Sequence, residues 1–368
     1  MIKRRGSIAA FIWLSAMALL VSCSPGKSDR QQGRFITDHT GRSVHIPDTV
    51  KKVIALRSGT MRLLAYMGVT DRVSHIEGGE QRRNVPYLIA NPHLRGLPVI
   101  GAGNHYDTEL LAAAVSDLIV ATFMSPQEAD RLQRLTRKPV VLLNYGDLGE
   151  GRDDLFSTLT LLGDIFHLEK RADTLMGYIE ATIEECAVRA SRATDPPRTA
   201  YVGGVAYNGA HGLTSTETDY PPFVMLSVSN AADVPDSRKS GDGPGHEVLF
   251  IEAEQLIEWD PEVIFLDAAG RQIWEEEIAS GIMQASLAAL RTGEVYTVLP
   301  YNWNSTNFEN LLCNVWYVGS VMMPSAFGDV DVAGKSREVY KLFYGTDIYD
   351  QVYDYYKPFS QLRNENRE

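Results

Sequence analysis

"DTELLAAAVSDLIVATF", Asp107 to Phe123, and "IEAEQLIEWDPEVIFLD", Ile251 to Asp267, have the same layout in two halves of the chain. Each opens with an acid in what reads as the first turn of a short helix. Each closes on an unbroken apolar run, Leu118 to Ala121 and Val263 to Leu266. A strand that is apolar at every position is buried on both faces, which is the habit of parallel sheets covered by helices. Two such units far apart in sequence predict two α/β lobes rather than one sheet.

The flanking sequence repeats the order. "KKVIALRSGTMRLLAYMG" reads as a buried strand, Val53 to Leu56, then a helix with Ser58 as its cap and Met61, Leu64, Ala65 and Gly68 at helical spacing. "SPQEADRLQRLTRKPVVLLN" is a helix with Pro126 in its first turn, leading into another strand. Upstream, "FITDHTGRSVHIP" alternates around Thr40-Gly41 as a hairpin does. The middle is helical: Asp153 to Phe166, then Glu169 to about Ser191, with Leu175, Met176, Ile179, Ile183 and Cys186 on one stripe. Such a helix spans about 34 Å, enough to link two lobes, and "RATDPPR" ends it. The α/β pattern then restarts with "RTAYVGG", "IEAEQLIEWDPEVIFLD" and "LAALRTGEVYTVLP", before "YNWNSTNF" and a long apolar helix. An aromatic-rich helical segment closes the chain.

The expected organisation is therefore a leader at 1–22, a polar tether at 23–34 and an α/β lobe at 35–152. A helical linker at 153–194, a second α/β lobe at 195–330 and a helical segment at 331–368 follow. The fold class is α/β: two lobes, each a largely parallel sheet flanked by helices, joined by one long helix, with a cleft between them.

The 368 residues suit two lobes of ordinary size, and 44% hydrophobic with 22% charged residues is normal for a folded soluble protein. A net charge of −12 without a Lys/Arg-rich block argues against a nucleic-acid partner. "MIKRRG" followed by "SIAAFIWLSAMALL" has the form of a secretory signal. Its end, Leu20-Val21-Ser22-Cys23, resembles the lipobox of bacterial lipoproteins, which implies acylation of Cys23 and a lipid-anchored protein of the cell envelope facing the periplasm or the exterior. The remaining Cys186 and Cys313 lie in apolar helical patterns and read as buried free thiols. Enzyme signatures are missing: no G-x-S-x-G, no H-E-x-x-H, no P-loop, and "GDGPG" at 241–245 follows no strand. The eight His are scattered rather than grouped as metal ligands.

Taken in order, "DHTGRSVHIP…KKVIAL", "DTELLAAAVSDLIVA" and "EAEQLIEWDPEVIFL" resemble the substrate-binding proteins of ABC importers for iron chelates, haem and cobalamin, over about Phe35 to Pro324. Val115-Ser116 departs from the Lys-Pro usual there. The resemblance implies two lobes facing across a ligand cleft and a stiff linking helix that allows only small closure. It also implies a permease dimer with its ATPase as partner, a monomeric binding protein and no enzyme activity. Cofactors are not expected, although the ligand itself would contain iron or cobalt. In the family an acid at the start of this helix in each lobe docks on the permease, which carries over to Glu109 and Glu254.

Ligands of open α/β sheets bind beyond the carboxyl ends of strands, so the loops found there are the candidate site. "GVAYNGAHGLTSTETDYPPF", Gly204 to Phe223, offers Tyr207, His211 and Tyr220. The "YNWNSTNF" loop offers Tyr301, Asn302 and Trp303, the last where the resemblance places an aromatic of the cobalamin cleft. In the first lobe Arg57 suits an anionic ligand, and Asn104, His105 and Tyr106 precede the "DTELL" helix. The expected function is capture of an iron complex (siderophore or haem) or cobalamin for an ABC importer. A binding protein for molybdate or tungstate, and a sensory or enzymatic lipoprotein on the same fold, are the alternatives.

Overall fold

Thr40 and Gly41 turn the chain between β1 (Gly33–Thr37) and β2 (Ser43–Pro47), which pair antiparallel. Gly41 takes φ 80°, the left-handed conformation such a turn requires. A computed structural model describes residues 33–103, 105–206, 209–233 and 248–362. The expected leader, the expected acylation site Cys23 and "GDGPG" lie outside them. β1 already starts at Gly33, so the last two residues of the expected tether are strand, and Arg34 is tied to Asp164 at 2.7 Å.

Lobe one continues with β3 (Val53–Leu56), α1 (Thr60–Tyr66), β4 (Val73–His75), α2 (Pro86–Ala90), α3 (Thr108–Ala113), β5 (Leu118–Ala121), α4 (Pro126–Thr136) and β6 (Val140–Leu142). The sheet runs β4-β3-β5-β6, parallel throughout. Ser58 does not cap α1. Gly59 holds the N-cap position at φ 81°, and a Cβ there would lie 2.2 Å from the Tyr145 ring. Close packing of an aromatic, not a capping hydroxyl, sets this turn.

The linker is α5 (Arg152–Phe166) and α6 (Glu169–Ser191), the latter 23 residues long as its periodicity predicts. Lobe two contains β7 (Thr199–Gly203), β8 (Ser215–Glu217), α7 (Pro221–Leu226), β9 (Ser229–Asn230), β10 (Val248–Phe250), α8 (Ala253–Trp259), β11 (Val263–Asp267), α9 (Arg271–Ala279), α10 (Ile282–Ser286), α11 (Ala288–Thr292), β12 (Val295–Val298) and α12 (Phe308–Met322). Its parallel sheet runs β12-β11-β7-β9, while β8 and β10 form a small antiparallel pair. α13 (Pro324–Phe327), α14 (Val332–Tyr344) and α15 (Tyr349–Tyr356) close the chain.

Strand alternation divides the core. Val53, Ala55, Leu118 and Val120 of lobe one and Val263 and Phe265 of lobe two point into one shared cluster with Leu175 and Ile179 of α6 and Leu311 and Trp316 of α12. The intervening residues enter separate outer clusters, Ile54, Leu56 and Ile119 in lobe one, Ile264 and Leu266 in lobe two. The inner faces of both sheets thus belong to a single interior.

Polar contacts lock the same junction. Arg171 of α6 donates to the Tyr66 carbonyl at 2.8 Å and to the Phe343 carbonyl at 3.0 Å. Glu309 of α12 accepts from Tyr66 of α1 and from Tyr344 of α14, the latter at 2.7 Å. The last segment crosses the molecule: Tyr356 donates to the Asn84 carbonyl of lobe one at 2.7 Å, and Phe359 and Leu362 bond the β12 backbone of lobe two, each at 2.8 Å. The long helix is therefore reinforced by a second connection that the sequence reading did not foresee.

Candidate functional site

The carboxyl ends of β3, β5, β6 and β12 open on one cavity of about 1130 Å³. Lobe one contributes Ser58 after β3, Phe123, Met124 and Ser125 after β5, and Asn144, Tyr145 and Asp147 after β6. Lobe two contributes Asn302 to Thr306 after β12. This is where parallel sheets bind ligands, because loops leaving the strands fan out there around a space no side chain fills.

The lobe-two wall is held from lobe one. Arg62 of α1 is fully buried, and its guanidinium reaches the carbonyls of Trp303 at 3.2 Å, Asn304 at 3.1 Å and Thr306 at 3.1 Å. It also bonds Tyr145 Oη at 2.5 Å and Asn307 Oδ1 at 2.8 Å. Burial works against this charge, but Tyr145, Tyr66, Glu309 and Tyr87 around it raise its pKa, so it stays charged. Its cage of carbonyls turns the loop outward, with Asn304 and Ser305 at φ 58° and 66°. Ser58 Oγ donates to Asn304 Oδ1 at 2.7 Å and lies 2.8 Å from Ser305 Oγ, closing a polar seam between the lobes.

Charges in the cavity are of both signs. Arg83 lines it and is paired with Glu80. Asp147 accepts the backbone N–H of Gly149 at 2.6 Å and of Gly151 at 2.9 Å, and Asp154 accepts from Asn144 at 2.9 Å. His39, in the β1–β2 turn, reaches Thr158 at 3.0 Å, and its burial pushes the imidazole pKa down against the pull of Asp154 and Asp38. It is a neutral wall residue.

The expected site residues divide. Asn302 and Trp303 line the cavity. Tyr301, their neighbour, does not: it is 1% exposed, donates to Glu217 and packs on Tyr220 with ring centroids 5.7 Å apart. Tyr220 is equally buried and receives Asn314 Nδ2 at 3.3 Å, so both tyrosines serve the lobe-two core rather than the cleft. The reason is register: each sits where its chain turns inward onto α12. Arg57 and Tyr106 converge on one oxygen of Glu128, each at 2.6 Å, with the guanidinium 5.7 Å from the Tyr106 ring. That cluster stands beside the cavity and not among its lining residues, because an acid of α4 captures both groups. His211 packs edge-on against Phe250 at 4.8 Å, also off the lining. Tyr207 and Asn104 lie outside the described residues. From the long glycine-rich loop the cavity receives Gly209.

Glu109 and Glu254 are both exposed, each in the first turn of the helix that precedes a central strand, α3 before β5 and α8 before β11. The sequence reading missed Phe123, Ser125, Asn144, Tyr145 and Asp147. The signal was available: "ATFMS" and "LLNYGD" follow strands as directly as "RSG" does.

Residues 53–301 match the family model described as periplasmic binding protein. The chain is 22% identical over 367 residues, 94% of its length and 99% of the relative's, to the molybdate-binding protein MolA of Haemophilus influenzae. It is 20% identical to the Fe(3+)-citrate-binding protein YfmC of Bacillus subtilis, over 78% of this chain and 84% of that one. Among solved structures, a periplasmic solute-binding protein of Veillonella parvula superimposes with TM-score 0.69 at 18% identity, covering 88% of this chain and 97% of that one. The two-lobed α/β fold, the cleft loops and the match across most of the chain make it a member of the periplasmic binding protein family, an extracytoplasmic solute-binding component of an ABC transporter and not an enzyme.

Proposed function

We propose that this protein captures a ferric chelate whose outer shell is rich in oxygen, and delivers it to a two-fold ABC permease with its ATPase. The observation that carries this reading is the size and lining of the cavity. Its 1130 Å³ fits a drug-sized molecule, for which pockets run to about 1,000 Å³. A lone tetrahedral oxyanion is only a few times the size of a water, whose share of the liquid is about 30 Å³. Hydroxyl and amide groups of Ser58, Ser125, Asn144, Asn302 and Ser305 suit the oxygens of a chelate, while Phe123, Tyr145 and Trp303 suit its carbon frame. Anchoring through an acylated Cys23, a monomeric state, and docking through Glu109 and Glu254 belong to the same proposal.

One observation favours a second reading, an oxyanion such as molybdate or tungstate: the relative matched over 94% of the chain is a molybdate-binding protein. Calorimetric titration with ferric citrate, a ferric siderophore, haem, cobalamin and molybdate separates the two. Binding of a ferric complex, weakened by Trp303→Ala, supports the chelate. Binding of molybdate alone replaces it with the oxyanion.

A further inference from the structure

Phe123 is the least expected residue of the cavity wall. It is 64% exposed, whereas Tyr145, the aromatic after the neighbouring strand β6, is buried. Its φ is 48°, the left-handed region that a bulky residue with a Cβ enters only when its surroundings force it.

The forcing groups are identifiable. Thr60 and Thr122 are fully buried, and their hydroxyl oxygens lie 2.8 Å apart. The Thr122 hydroxyl donates to the Ser58 carbonyl at 2.7 Å, and the Thr122 N–H donates to Thr60 Oγ1 at 3.1 Å. These bonds rivet the end of β5 to the turn after β3, and Phe123 is the next residue out. Its ring is then backed by other rings. Tyr145 lies 5.8 Å away, and Tyr145 in turn stacks on Phe308 at 5.2 Å with 24° between planes. The phenyl is thus the outer member of an aromatic column that starts in the core and ends in the cavity.

We propose that Phe123 is a specificity-determining residue, whose ring takes an aromatic ring of the cargo. The inference rests on the chelate reading above and narrows it to ferric complexes of aryl ligands, catechols being the chemistry that offers both a flat ring and metal-binding oxygens. Trp303 borders the same cavity from lobe two and supplies a second aromatic surface. A strained, exposed ring on a fixed backbone is pre-organised, so stacking on it orders little that is not already ordered.

The strain gives the test its sign. Glycine relaxes at a left-handed position, so Phe123→Gly should melt no lower than the wild type, although a large side chain has been removed. Affinities are measured by fluorescence quenching for ferric 2,3-dihydroxybenzoate and for ferric citrate, with thermal unfolding alongside. The expected result is a fall of about tenfold in the aryl-to-citrate affinity ratio for Phe123→Gly, with Phe123→Tyr restoring the ratio. A ratio changed by less than about twofold overturns the proposal, as does a melting temperature several degrees lower, which marks the ring as structural. Wild-type binding of the citrate complex alone overturns this inference and leaves the chelate reading standing. Binding of neither ferric complex overturns both.

Discussion

Arg62 Nη2 donates to the Trp303 carbonyl at 3.2 Å, so a helix of lobe one holds the cleft loop of lobe two. Replacing it by methionine leaves the carbonyls of Trp303, Asn304 and Thr306 without their donor in a buried place. The expected loss is roughly 3–5 kcal/mol of unfolding free energy. Arg62→Lys should recover only part of this, because one ammonium cannot reach a spread of acceptors that a planar fork reaches. Urea unfolding of both variants checks the order. A methionine variant as stable as the wild type would show that the seam contributes nothing.

Stability should depend on pH through Glu77. Burial, with Glu80 nearby, raises its carboxyl from 4.5 to about 7, against the Arg57 N–H it accepts at 3.1 Å. The folded state therefore binds a proton that the unfolded state releases between these values. That stabilisation is complete below about pH 4.5 and is lost as pH rises through about 7. Asp267, fully buried and likewise raised to about 7 chiefly by desolvation, adds with the same sign. Unfolding free energy should fall by on the order of 3 kcal/mol per group across the window. Glu77→Gln should flatten the slope, measured by denaturant titration at a series of pH values. A wild-type slope of opposite sign refutes the assignment.

Cys186 and Cys313 are buried free thiols whose pKa burial pushes up to about 12. In the Cys23→Ser protein neither should react with iodoacetamide at pH 8 until denaturant is added, because the thiolate is the nucleophile. Mass spectrometry of the native protein reads this directly. Rapid labelling without denaturant would place a thiol at the surface.

Glu109→Arg and Glu254→Arg should each reduce uptake in whole cells by at least tenfold, on the order of the 2 kcal/mol or more that a reversed interfacial charge costs. Ligand affinity should be unchanged, since both acids are exposed at helix starts outside the cavity lining. Each reversal should also lose up to about 1 kcal/mol of stability through the helix dipole, so unfolding is measured in parallel. Normal uptake with both positions reversed rejects the docking role, and a matching drop in affinity moves the residues to the cleft.

The sequence by itself determined the two α/β units, their parallel strands and the long helix between them. Continuous apolar runs such as Val263 to Leu266, and the 3.6-residue stripe through Leu175, Ile179 and Cys186, are local signals carried by residues close together in the chain. The loops at the strand ends were legible as candidates for the same reason, and Asn302 and Trp303 were found that way. Which side chains of those loops face the cavity was decided only by the tertiary structure. Tyr301 and Trp303 are two residues apart in one loop, yet one is sealed against Glu217 and the other borders the cleft. Arg57 and Tyr106 look like ligand contacts until Glu128 of another helix claims both. Arg62, a charged position of a short helix in the sequence, is fully buried because the 303–307 loop folds over it from the far lobe. Such partners lie between 22 and 245 residues away in the chain, and no local period encodes them. They are fixed by the packing of whole elements, which is why the fold could be read from the sequence and the orientation of the site could not.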